Sequence, residues 1–468
     1  MKPLIFFLLF FALVFFGTAA YAEGLNTEPV AMKITELSEN ELSDISDGDY
    51  STVYFADTLK LTLLPDESVQ AVYIIWNEPP EEYAVYSDTE KITLDSGFMH
   101  QLVTFSSPVT SITVDNPHGG EICDIYLFRD LNLPDYVQKW EPPCTQTDML
   151  VFSAHADDEF LMFGGTIPYY AGELDLRLQV VYMTTHWEEQ PRPHELLDGL
   201  WAAGVENYPV TGIIPDIPYQ PIFTLSEAAQ LYDFDEVLEW FTEQIRRFKP
   251  SVIVTHDLNG EYGHAAHKLA AKTVADAVEI SFNPFMYTDS AEKYGVWNVP
   301  KTYLHFYGEN AIEMDWERTL ESFGGITARE AAALCYDKHK SQHIWGYSVN
   351  YGEKWDCRQF GLYRSLVGYD TQADFMENII PVTVDNTQTE AAEAITEETA
   401  KETEEITTST AETSEIISSA LNPETEMKDP DIDTEDRDRV TDYGVIFIIA
   451  IIVLSVIIVS AIILKRKR

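Results

Sequence analysis

Strand and helix patterns alternate between residues 146 and 375, while short β-type runs alone fill the stretch from 23 to 140. These two observations predict an α/β domain on a Rossmann-like parallel sheet, preceded by an all-β sandwich. Length agrees, because 468 residues are too many for one domain and leave room for two with appendages.

In the N-terminal region the β-type runs fall at 59–64, 69–76, 83–86, 101–105, 112–114 and 122–128, separated by polar turns containing Pro, Asp and Gly. Close spacing of short strands is the mark of a sandwich. Trp76, Tyr83 and Tyr86 read first as core and edge aromatics, with stacking on sugar rings as the functional alternative. In the second region strands are expected near 149–154, 177–184, 208–213, 251–256 and 301–307. Helices are expected near 158–171, 193–204, 225–248, 264–280 and 327–343. Such alternation implies a parallel sheet covered on both faces. No Gly-x-Gly-x-x-Gly follows the first strand, so a dinucleotide is not indicated.

Two of these strands end in chemistry. The apolar run from Met149 to Ala154 stops at His155-Ala156-Asp157-Asp158-Glu159. About a hundred residues later, Ser251-Val-Ile-Val-Thr-His256 runs into Asp257-Leu-Asn-Gly-Glu-Tyr262-Gly-His264-Ala-Ala-His267. Open α/β sheets place their ligand crevices at the carboxyl ends of strands. His264 and His267, three apart at a helix start, share a face. Together the segments offer His155, Asp158 and His267 as metal ligands, with Asp157 and His264 left over. Three protein ligands and an open position are what a hydrolytic Zn²⁺ requires.

These motifs resemble those of the PIG-L/LmbE-like de-N-acetylases, which remove acetyl groups from N-acetylglucosamine-type substrates. The family's His-Pro-Asp-Asp-Glu reads His155-Ala156-Asp157-Asp158-Glu159 here, and its Gly-His-x-Asp-His reads Gly263-His264-Ala265-Ala266-His267. Its Arg-x-x-Glu helix start is matched by Arg192-Pro-His-Glu195, and a Ser-Gln after basic residues by Lys338-His-Lys-Ser341-Gln342. The resemblance spans roughly residues 146–370. Two positions depart from the pattern: Ala156 replaces the motif Pro, and Ala266 replaces a carboxylate that would orient or tune His264. The N-terminal region is similar, by pattern alone, to galactose-binding-like jelly rolls.

The resemblance implies roles that can be set beside plainer ones. Asp157 is the candidate general base, and His264 the group that protonates the leaving amine or stabilises the oxyanion. Tyr262 is an oxyanion donor or a packing residue. Arg192 binds substrate hydroxyl or phosphate groups, or forms an ordinary salt bridge. His186 lines the pocket. Glu159 orients a ligand rather than binding metal. The metal is Zn²⁺, with another divalent ion as the alternative.

Charge and the chain ends complete the expectation. A formal charge of −48 opposes nucleic acid, whose phosphates it would repel. Lys2, an apolar core and Ala20-Tyr21-Ala22 mark residues 1–22 as a signal peptide. Residues 376–442 read as an acidic, Thr/Glu-rich disordered stalk, 443–464 as a transmembrane helix, and 465–468 as a basic cytoplasmic tail. The expected location is therefore the cell membrane, single-pass, with the catalytic domain outside. Four cysteines form no metal pattern, and export would permit the economical pairs Cys123–Cys144 and Cys335–Cys357, with buried free thiols as the other reading. The expected function is metal-dependent removal of an N-acetyl group from an N-acetylglucosamine-type sugar or glycoconjugate. The competing readings are a catalytically weakened carbohydrate-binding surface protein and an amidase acting on a different amide.

Overall fold

The computed structural model describes residues 27–94, 97–186, 189–216, 224–352 and 354–382. It is a mixed α/β protein with several sheets.

The first region contains β1 (Met32–Ile34), α1 (Glu39–Asp44), β2 (Tyr54–Ala56), β3 (Leu59–Pro65), β4 (Val69–Trp76), β5 (Tyr83–Ser87), β6 (Lys91–Leu94), β7 (His100–Val109), β8 (Ile112–Asn116) and β9 (Gly120–Phe128). They form two antiparallel sheets, ordered β1-β3-β8-β5-β6 and β2-β9-β4-β7. Leu61 and Leu63 of β3, Val114 of β8, Val72 and Ile74 of β4, and Ile125 and Leu127 of β9 share one hydrophobic cluster. Trp76 and Tyr83 belong to it too and are fully buried, as core aromatics. Strand β4, like its neighbour β9, is buried on both faces. Its alternate residues Ala71, Tyr73 and Ile75 bury the opposite face, with Cys123 and Phe128. A strand buried on both faces reads as a continuous apolar run, as Ala71 to Trp76 does.

The second region contains β10 (Met149–Ser153), α2 (Asp158–Leu161), β11 (Leu178–Tyr182), α3 (Arg192–Ala202), α4 (Leu225–Leu231), α5 (Phe234–Phe248), β12 (Val252–Thr255), α6 (Ala265–Ile280), α7 (Thr288–Tyr294), β13 (Lys301–His305), β14 (Ala311–Glu313), β15 (Thr319–Leu320), β16 (Ile326–Thr327), α8 (Ala328–Tyr336) and β17 (Gln359–Ser365). The main sheet runs β11-β10-β12-β13-β17-β14. The pairs β10–β11, β10–β12 and β12–β13 are parallel. Every residue of β10 is buried. Met149 and Val151 enter the cluster that includes α3 and α8, whereas Leu150 and Phe152 enter the one that includes α5 and α6. Helices thus cover both faces. The order sets β10 between β11 and β12, so the carboxyl ends of β10 and β12 lie side by side.

The structure departs from the sequence expectations in several places, each with a local cause. Antiparallel β17 joins the otherwise parallel strands by pairing with β13 and β14. The run at 208–213 is no strand: it makes only isolated bridges, Val181 to Val210 and Thr184 to Ile214. Pro209 within the run, and Pro215 just beyond it, lack the N–H a ladder needs. The helix expected over 158–171 ends at Leu161, and Gly164 takes a positive φ of 55°. The helix expected over 225–248 is two, because Asp233 caps α5 by accepting from the N–H groups of Asp235 and Glu236. All four cysteines are buried and free, so the expected pairs do not form.

The expected location is also corrected. Among the described residues no helix is long and apolar enough to cross a membrane, which overturns a single-pass cell-membrane protein with its catalytic domain outside. The segments 1–22, 443–464 and 465–468 that prompted it lie outside the described residues, as does 383–442 of the expected stalk. At the stalk's expected start, Met376 packs in the second region's core beside Phe375.

Candidate active site

The loop after β10 is held in an unusual conformation. Asp157, with φ 112°, lies where side chains other than glycine are strained. Three contacts hold it. Glu159 Oε2 accepts the Asp157 N–H at 2.8 Å, His186 Nε2 accepts the Ala156 N–H at 2.7 Å, and Arg192 Nη2 donates to the Ala156 carbonyl at 3.1 Å. The apolar strand thereby delivers His155, Asp157 and Asp158 into one crevice.

One oxygen gathers the candidate ligands. Asp158 Oδ2 lies 2.9 Å from His155 Nδ1 and 3.1 Å from His267 Nε2, and it accepts the His155 N–H at 3.1 Å. His256 Nε2 is farther, at 4.0 Å, and already accepts the Ala154 N–H at 2.9 Å. Two overlapping groups could hold an ion: His155, His264 and His267, and Asp158, His256 and His267. Nitrogen and oxygen donors of this kind suit Zn²⁺.

A second carboxylate organises the histidines from behind. Glu261, wholly buried, receives His267 Nδ1 at 2.7 Å and His256 Nδ1 at 2.9 Å on one oxygen, and His305 Nδ1 at 2.6 Å on the other. A proton on His267 Nδ1 leaves the Nε2 lone pair facing Asp158, the tautomer a metal ligand needs. Neither Glu261 nor His305 was singled out from sequence. His256 occupies the same place after β12 that His155 occupies after β10, and that symmetry was the available signal.

The two adjacent aspartates differ in charge preference. Burial and the Asp158 charge push the Asp157 carboxyl well above the usual range, against Arg192, whose Nη2 is 3.8 Å from Asp157 Oδ1. For Asp158, burial also pushes upward, but His267 and His155 outweigh it and hold the carboxyl well below that range. Burial alone would lower His267; Asp158 and Glu261 hold it up at about 10.

The remaining residues have mixed placements. His264 precedes α6 and its ring lies 5.1 Å from that of His155 and 4.9 Å from that of His267, centre to centre. Its Nδ1 is buried without a partner, at the helix start where Ala266 supplies no carboxylate. Tyr262, in the left-handed region at φ 45°, sets its hydroxyl 3.4 Å from His267 Nε2. Arg192 opens α3 but is buried, donating to Asp216 as well as Ala156. His186 is buried at 1% exposure, against the loop and Thr184. Glu159 meets Tyr182, whose hydroxyl donates at 2.8 Å. Glu195 and Ser341, from separate motifs, meet: the Ser341 N–H and hydroxyl donate to Glu195 at 2.8 and 2.6 Å.

Residues 150–278, which hold both strand ends, match the family described as PIG-L: GlcNAc-PI de-N-acetylase. The chain carries a PIG-L domain. It is similar to 1D-myo-inositol 2-acetamido-2-deoxy-alpha-D-glucopyranoside deacetylase 1 of Catenulispora acidiphila, 27% identical over 198 residues, covering 36% of this chain and 60% of that one. A deacetylase of the same compound from Gordonia bronchialis is 30% identical over 167 residues, 28% of this chain and 56% of that one. The chain thus spans less than two thirds of the length of these relatives. Among solved structures, the N,N'-diacetylchitobiose deacetylase from Pyrococcus horikoshii, complexed with an inhibitor, aligns over 44% of this chain and 75% of that one, with 16% identity and a TM-score of 0.33.

Proposed function

We propose that residues 146–375 act as a PIG-L/LmbE-like deacetylase domain on a Rossmann-like sheet. Its reaction is hydrolysis of the N-acetyl group of an N-acetylglucosamine-type sugar or glycoconjugate, with Zn²⁺ held by His155, Asp158 and His267. The observation that carries the reading is the meeting of His155 Nδ1 and His267 Nε2 at one oxygen of Asp158, at 2.9 and 3.1 Å. Donors about 2.0–2.1 Å from a tetrahedral ion lie roughly 3.3 Å from one another, close to these two separations. His256 is the poorer ligand, because its Nε2 already serves the Ala154 N–H.

When bound, the ion supplies a Lewis acid for the amide carbonyl and makes water a nucleophile near neutral pH. The residues around it divide the proton work. Asp157, which shares none of Asp158's histidine contacts, takes the proton from the attacking water. Burial and the neighbouring His267 and His155 push His264 down to about 2, so it serves as a neutral imidazole whose ring N–H donates to the developing oxyanion. The Tyr262 hydroxyl donates to the developing oxyanion. Arg192 and His186 hold the loop that carries Asp157, and the unpartnered Arg192 Nε is the atom left for a substrate hydroxyl or phosphate. The two N-terminal sheets, sharing one cluster, support the reading of a jelly-roll-like β-sandwich over 23–140.

Ala266 favours a second reading, a catalytically weakened carbohydrate-binding protein, because it leaves His264 Nδ1 without a carboxylate. The deciding experiment is acetate release by the zinc-reconstituted chain from a panel of N-acetylglucosamine-containing saccharides. Release that disappears in Asp158→Ala supports the deacetylase. Full zinc occupancy with no release from any saccharide moves the second reading ahead.

A further inference from the structure

A cavity of about 880 Å³ opens where the four-stranded N-terminal sheet meets α3. None of its lining residues belongs to the crevice around Asp158. Its size is that of a small-molecule cleft. One wall is Tyr73 of β4 with Asp124 and Tyr126 of β9, and the opposite wall is Asp198 and Trp201 of α3. A loop bearing Tyr136 closes one side.

The lining is built rather than incidental. Asp198 is fixed by two donors, the Tyr50 hydroxyl at 3.0 Å and Gln138 Nε2 at 2.7 Å. Each of its oxygens keeps a lone pair for a further donor. Asp124 is fully buried; its Oδ1 accepts the Gly48 N–H at 3.1 Å, and its Oδ2 has only the neighbouring Tyr126 hydroxyl, without well-formed hydrogen-bond geometry. A buried carboxylate oxygen short of well-placed donors costs free energy that an incoming hydroxyl would recover. Around these acceptors stand flat aromatic faces, Tyr126, Tyr136 and Trp201, with Lys139 and Lys338 as donors at the rim. A hydrocarbon ligand would strand the carboxylates. An anion would be repelled by them. A ring that offers hydroxyl donors at its edge and C–H groups on its face satisfies both parts of the lining.

We propose that this cavity is a second binding site, for a hydroxyl-rich sugar unit, shared between the N-terminal sheets and the PIG-L domain. The site holds its ligand by hydroxyl donation to Asp124 and Asp198 and by stacking on Tyr136 and Trp201. It does not rest on the deacetylase reading.

The test is calorimetric titration of the full-length chain carrying Asp158→Ala, so that turnover plays no part, with maltotetraose and with the N-acetylglucosamine tetramer as probes. Saturable binding of at least one probe is expected. Adding Asp124→Asn, which keeps an acceptor for Gly48 and turns the other oxygen into a donor, should weaken it about tenfold or more. Tyr136 is 50% exposed, so Tyr136→Ala should leave thermal unfolding unchanged while weakening binding severalfold. Absence of binding by both probes, or equal affinity in the parent and both cavity variants, overturns the proposal. Neither result depends on whether acetate is released by the wild type.

Discussion

Two buried histidine clusters occupy this chain, and they are organised in opposite ways. At the carboxyl ends of β10 and β12, carboxylates stand between the histidines: Asp158 between His155 and His267, Glu261 between His256, His267 and His305. Where the N-terminal sheet meets α3, histidines bond each other. His100 Nε2 lies 2.9 Å from His194 Nδ1, the Tyr73 hydroxyl is 3.2 Å from His100 Nδ1, and the paired carboxylate, Asp198, stands off at 3.9 Å. The consequence is a difference in charge. Burial pushes His194 down to about 3 and His100 well below its ordinary value, while the carboxylates hold His267 up at about 10. Burial makes a histidine neutral; burial beside converging carboxylates makes a place that demands positive charge. A divalent ion would meet that demand in the first cluster. Nothing in the second calls for one.

The largest effect expected from this contrast is on metal content. Asp158→Ala should reduce bound zinc to background and abolish acetate release, because the oxygen that gathers His155 and His267 is gone. His194→Gln should keep stoichiometric zinc by elemental analysis. Equal zinc in the two variants would end the distinction between the clusters. Within the first cluster, Asp157→Asn should retain zinc and lose about 10²–10⁴-fold in turnover, since an amide cannot accept the water proton. If Asp157→Asn loses zinc and Asp158→Ala keeps it, the roles of the two aspartates are exchanged.

The same contrast marks what was legible in the sequence. His155 and Asp158 stand just past the abrupt end of an apolar run, His267 stands three residues after His264 at a helix start, and those patterns survive without coordinates. Strands β10, β12 and β13 were visible for the same reason. Glu261 was not, because its partners are supplied by three separate segments, and His305 comes from 44 residues away. The His100–His194 contact was invisible because it depends on how two regions dock, which no local period encodes. A trace of it existed in the apolar run Ala71 to Trp76 of β4, which announces two covered faces. The strand expected over 208–213 failed on a local feature, Pro209, which has no N–H to give a ladder.

Glu261→Gln sharpens the contrast from behind the proposed metal ligands. An amide cannot accept from three histidine N–H groups, so the tautomer of His267 is released. Zinc affinity should fall about 10–100-fold, the usual cost of losing a carboxylate behind a ligating histidine. Chelator competition measures it. Unchanged affinity would mean that His267 is oriented by packing against its neighbours rather than by Glu261.

The smallest effect concerns stability and isolates the second cluster. His100 and His194 have pKa values lowered in the folded chain relative to the ordinary 6.5, so the unfolded chain binds protons there that the folded chain refuses. Stability from this source is complete above about pH 6.5 and is lost as pH falls toward the folded value of about 3 for His194. In that window each such histidine contributes a slope of up to about 1.4 kcal/mol per pH unit. Around the pair stand Asp198, Tyr50, Tyr73 and Cys123, the last 3.7 Å from His194 Nε2; Asp198 alone could offset the loss, and at 3.9 Å from His100 it offsets little. Denaturant unfolding of the wild type between pH 6.5 and pH 4 should therefore show a steeper decline than His194→Gln, which has no proton to take up. The comparison of slopes removes the contribution of the acidic groups common to both chains. Parallel declines would show that the His100–His194 pair accepts a proton within the fold, and the two clusters would then differ less than their geometry says.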